Sequence, residues 1–288
     1  MNKQDVIDIM NRADRMKNPI RQYPNKTMVS LFFEQSRLID SYNAAARRLG
    51  MKVHNMIATA ESLEDHVKLS NYYGDILVLR HPDEDYQHRA EMVSDIPVLP
   101  AGKFENPTQA LVDLYTLSRE LEFRGITLDS ETRQTLHISF LGYNRAVQPF
   151  VNLLKHFPNI ELHYVSRSDV DPDLIPLTDV FYVSRKQDED AYCIDRTFLS
   201  KTKHTAIVMH HLPRTDELLP EVDKNPRCVY FEQQENGIYM RMATIDLIFS
   251  RDCPTVRECF WIGFSYIKTR LSMFSLWPVV STGVCRCV

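Results

Sequence analysis

Short apolar runs alternate with amphipathic stretches along most of this chain, and that alternation restricts its fold more than any other feature. Met28–Phe33 reads as a strand, and Ser36–Leu49 as a helix closed by Gly50 just past its end. Lys52–Ile57 reads as a strand, Ser62–Tyr73 as a helix ended by Gly74, and Ile76–Leu79 as a strand. Asp83–Val93 reads as a helix and Pro97–Leu99 as a short strand. A long helix then runs from Pro107 to about Leu121, with the proline in the first turn, where a missing N–H costs nothing. Strand and helix in strict turn imply a mainly parallel sheet with helices on both faces.

The charged segment Glu122–Gln134, with Gly125 inside it, has the composition of a boundary. A second set follows: strand Leu136–Leu141, helix Ala146–Phe157, strands Glu161–Val165, Val180–Val183 and Ala206–Met209, and a last helix Ile238–Phe249 before Pro254. The expectation is an α/β protein of two doubly wound parallel-sheet domains. The first spans residues 1–121 and is completed by 238–250, the second spans 122–237, and 251–288 is a C-terminal extension. Open parallel sheets bind ligands beyond the carboxyl ends of their strands. Arg80 ends ILVLR, Arg185 ends VFYVSR, Arg37 opens the helix after LFFEQ, and Arg145 follows ISFLG. Any one of these could be an ordinary surface arginine. Four at equivalent strand ends, beside helix N-termini, suit phosphate and carboxylate groups. A small polyanion in an interdomain cleft is the ligand class these residues imply.

Composition removes several alternatives. A net charge of -4 and a pI near 6.2 argue against nucleic-acid binding through a basic surface. No apolar run approaches the ~20 residues that cross a bilayer, and no leader is evident in the first residues, so a cytoplasmic protein off the membrane is expected. The six cysteines all fall in the last third, unlike a disulfide framework. Glycine occurs only 8 times, with neither G-x-G-x-x-G nor G-x-x-x-x-G-K-[ST], so nothing supports a nucleotide cradled on a glycine loop. No H-E-x-x-H or paired C-x-x-C marks a metal site.

The stretch HHLPRTDELLPEVDKNPRCVYFEQQENGIYMRMA, His210 to Ala243, resembles a region of the aspartate/ornithine carbamoyltransferase superfamily. There it holds the carbamoyl group and returns the chain to the first domain. The resemblance extends from the N-terminal helix to about Arg251 and is strongest to the aspartate branch. It implies the aspartate carbamoyltransferase arrangement of the two domains, with carbamoyl phosphate on the first and L-aspartate on the second. It also implies a trimer of identical chains, or one mixed with a paralogue, and no cofactor, metal or catalytic side-chain nucleophile. Residue by residue, Arg145 in YNRAV falls where the G-R-T-V arginine grips aspartate, and Arg185 and Gln187 in SRKQ match R-x-Q. His211 and Leu212 stand where backbone carbonyls receive the carbamoyl NH2. Ornithine enzymes carry H-C-L-P and S-M-G motifs, both missing here.

The carbamoyl-phosphate side departs from the pattern. The S-T-R-T-R signature reads Gln35-Ser36-Arg37-Leu38-Ile39, leaving Ser36 and Arg37 to hold phosphate, with Arg80 and Gln109 retained. H-P-T-Q reads Asn106-Pro107-Thr108-Gln109, so Arg80, Asn106, Thr108 and Gln109 are the residues expected to polarise the carbamoyl group. Between Gly50 and Glu61 the loop is short, and Thr59 takes the place of a lysine that the family carries into the neighbouring subunit's site. Each lost electrostatic donor typically removes 10²–10³ in rate, about 3–4 kcal/mol, so weakened catalysis is expected. The alternatives are a non-catalytic homologue acting as a structural or regulatory subunit, and a transferase for another acyl phosphate or amine. In the extension, Thr255–Leu276 reads as an extra helix docked on the protein, with a membrane-surface helix as the alternative. Cys285-Arg286-Cys287-Val288 has the outline of a C-a-a-X box without its aliphatic inner residues.

Overall fold

The structure, a computed structural model, describes residues 2–19, 22–58, 62–102, 107–128, 135–143, 147–165, 170–185 and 192–250. The first half builds α1 (Lys3–Arg15), β1 (Thr27–Phe32), α2 (Leu38–Arg48), β2 (Lys52–Ile57), α3 (Leu63–Tyr73), β3 (Ile76–Arg80), α4 (Tyr86–Glu91), β4 (Val98–Pro100) and α5 (Pro107–Phe123). The second builds β5 (Leu136–Leu141), α6 (Gln148–Leu154), β6 (Ile160–Val165), β7 (Val180–Val183), α7 (Arg196–Lys201), β8 (Ile207–His210) and α8 (Tyr230–Ser250). Two four-stranded sheets result, ordered β2-β1-β3-β4 and β6-β5-β7-β8. Every strand pair is parallel. The two orders are the same pattern repeated, as expected for two units of one design.

Local chemistry explains most boundaries. Asn2 and Asp5 form a reciprocal capping box at the start of α1. Gly50 takes φ +73 beyond α2, its N–H donating to Arg47 and that of Met51 to Ala46, so two orphan carbonyls of the last turn are satisfied. The short α7 escapes sequence reading because six residues carry too little periodicity. It is set instead by Asp195, whose side chain accepts from the Phe198 N–H at 2.6 Å.

The largest correction concerns α8, which begins eight residues before the expected Ile238. The polar stretch up to Gly237 looks like a loop but is helix. A Cβ on Gly237 would stand 2.6 Å from Arg241 Nη1, so the glycine leaves room for a buried guanidinium one turn on. Other helices are shorter than expected: α2 covers Leu38–Arg48 of Ser36–Leu49, α4 lacks the ends of Asp83–Val93, and α6 stops at Leu154 instead of Phe157.

The main core joins the two sheets. Residues of α1, α2, α5, α6 and α8 pack together with Met28, Ile76 and Val78 of the first sheet and Ile138, Phe140 and Tyr182 of the second. A second core under α3 and α4 covers the other face of the first sheet, and a third under α7 covers the other face of the second. Helix α8 packs on α1, α2 and α5, returning the chain to its first half. Its buried Asp246 accepts from Arg12 of α1 and, at 2.6 Å, from the Tyr23 hydroxyl. Among the described residues no helix is long and apolar enough to cross a membrane.

Candidate active site

The carboxyl ends of β1, β3, β7 and β8 open onto one cleft of about 1140 Å3 between the two sheets. Side chains from both halves line it. Glu34, Gln35, Ser36, Arg37, Arg80 and Gln109 come from the first, and Arg185, His211 and Leu212 from the second. Seven of the residues singled out from sequence are thus brought to one place: Ser36, Arg37, Arg80, Gln109, Arg185, His211 and Leu212. Four arginines line the cleft (Arg37, Arg80, Arg185, Arg241) against the carboxylates Glu34 and Asp40, so its formal balance favours an anion.

Arg80 ends β3 and is largely buried. Its Nη1 donates to the Ala101 carbonyl at 2.8 Å, its Nη2 lies 3.5 Å from Glu34, and its Nε is buried without a hydrogen-bond partner. A buried donor of this kind is rare because it forfeits its hydration. Ser36 and Arg37 lie at the start of α2, where the Ser36 hydroxyl accepts from the Leu38 N–H at 3.3 Å. Arg37 is the N-cap residue and its exposed side chain makes no capping bond.

The β8 turn is built around a buried histidine. His210 Nδ1 accepts from the Leu212 N–H at 2.8 Å, so the proton must sit on Nε2, which donates to Glu217 at 2.8 Å. Burial lowers the His210 pKa. Burial alone would raise that of Glu217, but the Thr215 hydroxyl and N–H, and then His210, hold it below the usual range. The pair fixes Leu212 at φ +34, ahead of a cis bond to Pro213. A left-handed leucine costs about 1–2 kcal/mol, and the hydrogen bond from its N–H to His210 Nδ1 holds it there. His211 stacks on His210 and Tyr182, and burial, then His210 and Arg185, push its pKa down to about 4, so it stays neutral. Arg185 Nε donates to the Pro213 carbonyl at 2.8 Å, tying the end of β7 to this turn.

Behind the cleft lies a network that sequence reading missed. The buried Asp113 carboxylate accepts from Gln109 at 2.8 Å, Gln233 at 2.7 Å and the Tyr182 hydroxyl at 2.8 Å. Gln233 accepts in turn from the His210 N–H at 3.0 Å. Helices α5 and α8 are thereby locked to β7 and β8. Burial raises the Asp113 pKa to about 6 against the opposing pull of its three donors. Arg241 is also buried, its guanidinium 5.2 Å from the Tyr42 ring centroid. A lone arginine inside the apolar run IYMRMATIDLIF was the signal available for it.

Not every expected residue reaches the cleft. Thr108 is buried, accepts from the Tyr42 hydroxyl at 3.3 Å, and is not among the cleft-lining residues. Its side chain braces α5 against α2. Asn106, Arg145 and Gln187, with Thr59 and the whole of 251–288, lie outside the described residues.

Comparison with known proteins gives this cleft a family. Residues 1–119 match the aspartate/ornithine carbamoyltransferase, carbamoyl-P binding domain, and residues 178–248 match the Asp/Orn binding domain. The chain is 33% identical over 283 residues to the aspartate carbamoyltransferase catalytic subunit of Thermoplasma acidophilum, covering 84% of this chain and 93% of that one. It is 32% identical over 292 residues to the multifunctional protein pyr-3 of Neurospora crassa, with 85% of this chain matching 15% of that much longer protein. Among solved structures it is similar to aspartate transcarbamoylase from Trypanosoma cruzi in complex with carbamoyl phosphate and aspartate. There the TM-score is 0.72 at 30% identity, covering 84% of this chain and 92% of that one. With both of its domain models matched and a third of its residues shared with a catalytic subunit of nearly the same length, the chain belongs to the aspartate/ornithine carbamoyltransferase family, and within it resembles the aspartate carbamoyltransferases.

Proposed function

We propose that the protein transfers a carbamoyl group from carbamoyl phosphate to the amine of L-aspartate, with a weakened hold on the phosphate. The amine attacks the carbamoyl carbon, the bond from that carbon to the phosphate oxygen breaks, and phosphate leaves. Charge accumulates on the carbamoyl oxygen and the departing phosphate, so catalysis depends on positioned donors more than on any side-chain nucleophile. The observation that carries the reading is the cleft itself, lined by Arg37 and Arg80 from the first half and Arg185 from the second, in which arginines outnumber carboxylates. Arg80 and Gln109 are assigned to the carbamoyl phosphate, Ser36 and Arg37 to its phosphate, and the carbonyls of His211 and Leu212 to its NH2. Arg185 is assigned to aspartate, with Arg145 and Gln187 beside it.

The weakened hold rests on Leu38 and Ile39, which line the cleft where the family signature carries a hydroxyl and a second arginine. Assembly as a trimer belongs to the same reading. Its support is an apolar surface on the edge strand β2 and the adjoining α3, where Ile57, Leu69, Tyr72 and Tyr73 are exposed.

Calorimetric titration with carbamoyl phosphate, then with aspartate in its presence, tests the function alongside an assay for carbamoyl aspartate. Saturable binding of both with product formation is expected. Arg80→Ala should lower kcat/KM at least 100-fold, whereas Arg185→Ala should chiefly raise the KM for aspartate and leave assembly unchanged. Failure to bind carbamoyl phosphate at millimolar concentration would exclude the reaction and leave a non-catalytic member of the family.

A further inference from the structure

Away from the cleft, nearer the amino ends of the second sheet, β5 and its edge neighbour β6 bring together two imidazoles and a carboxylate. The parallel register sets His137 opposite Glu161 and Ser139 opposite His163. Since side chains alternate along a strand, His137, Glu161 and His163 all leave the same face. His137 Nδ1 stands 3.0 Å from His163 Nε2 and 3.8 Å from a Glu161 oxygen, and His163 Nε2 is 3.8 Å from the other Glu161 oxygen. The two rings lie nearly parallel, at 17°, with centroids 5.3 Å apart. The histidines are three-quarters buried, and Glu161 is more than half exposed, so the triad has one side open to solvent.

We propose that His137, Glu161 and His163 form a site for a borderline divalent transition metal, Zn2+ above all, that clips β6 to β5. Zinc takes histidine nitrogens at ~2.0–2.1 Å and carboxylate oxygens at ~2.0–2.2 Å. A tetrahedral ion with such bonds separates its ligands by about 3.3–3.5 Å; the two nitrogens stand slightly closer than this at 3.0 Å, and each lies 3.8 Å from a different Glu161 oxygen. Seating the ion therefore needs the two imidazoles to part slightly and one Glu161 oxygen to turn in between both nitrogens, a rotation its exposed side chain allows. Two imidazole nitrogens facing one another at hydrogen-bond distance must share one proton, and a metal ion would take that proton's place. The donor set of two nitrogens and one oxygen selects against Ca2+ and Mg2+, which prefer oxygen alone. Asp179 lies nearby, accepting the His137 backbone N–H at 3.0 Å, but its other oxygen is held by Lys203 at 2.6 Å. That arrangement makes it a brace for β5 and not a fourth ligand. Three protein ligands leave one position for water.

The test is titration of chelator-treated full-length protein with Co2+ and then Zn2+, followed calorimetrically and by visible absorption. One Co2+ per chain is expected, with ligand-field bands of nitrogen and oxygen ligation and displacement by Zn2+. His163→Gln should lower Zn2+ affinity at least 100-fold and Glu161→Gln at least tenfold. Zn2+ should raise the melting temperature of the wild type and not that of His163→Gln. Glu161 is exposed, so its conservative variant retains the fold and reports on ligation even if a histidine variant does not. Absence of stoichiometric binding, undiminished binding in both variants, or an intense sulfur-to-cobalt charge-transfer band tracing the metal to cysteines would each overturn the site.

Discussion

Gln109, Tyr182 and Gln233 approach the buried Asp113 carboxylate from three different elements, and Gln109 and Tyr182 also line the cleft. Its proton affinity is therefore a property of the folded state. The folded carboxyl titrates near 6 against an ordinary 3.8, so folding takes up a proton in that interval. This contribution is full below about pH 4 and is lost as pH rises through 6. About two pKa units correspond to roughly 3 kcal/mol. The stability advantage of the wild type over Asp113→Asn should thus be largest near pH 4 and shrink by up to that amount by pH 7, as read by urea unfolding across the range. His211, held down near 4, titrates in the opposite sense, but that contribution is common to both proteins and cancels in the difference.

At the scale of elements, the strand ends that carry the site depend on one backbone conformation that the sequence advertises only as a glycine. Gly142, just past β5, takes φ +74, and a Cβ there would collide with the Tyr192 hydroxyl, which donates to the Ser184 carbonyl past the end of β7. Gly142→Ala should lower stability by about 2 kcal/mol or more, since it combines a disfavoured φ with overpacking. Thermal denaturation measures it, and an unchanged melting temperature would contradict this account of the β5–β7 joint. Strands are the most legible elements: the expected bounds of Lys52–Ile57, Leu136–Leu141 and Val180–Val183 match the observed ones, the latter two because their apolar runs are bounded by polar or turn residues. The start of α8 was not legible, because Gly237 reads locally as a breaker and only the buried Arg241 beside it explains its presence in a helix.

For the whole molecule, the edge strand β2 is the anomaly. None of its residues is buried, four of the six are exposed, and Ile57 and, on α3, Tyr72 are 83% and 85% exposed. An unpaired edge with large apolar side chains beside it favours association with other chains. Ile57→Lys with Tyr72→Lys should therefore shift the proposed trimer toward monomer in sedimentation velocity at micromolar concentration. A variant that sediments like the wild type would remove this face from the assembly.

The sequence by itself determined the alternation of strand and helix, and with it the repeated parallel sheets. It also named seven of the residues that meet in the cleft, because strand-end arginines and the HHLP turn are local patterns. Periodicity and capping act within a few residues of chain, so a linear reading captures them. What only the tertiary structure decided is convergence between distant segments. Asp113 meets Gln233 across 120 residues, Arg241 settles against Tyr42, and Thr108 turns away from the cleft into the core. His137 likewise meets Glu161 and His163 only because of strand register, since no spacing in the chain marks them as a set. Register and inter-helix packing are fixed by burial of the whole core, and no window of sequence contains that information.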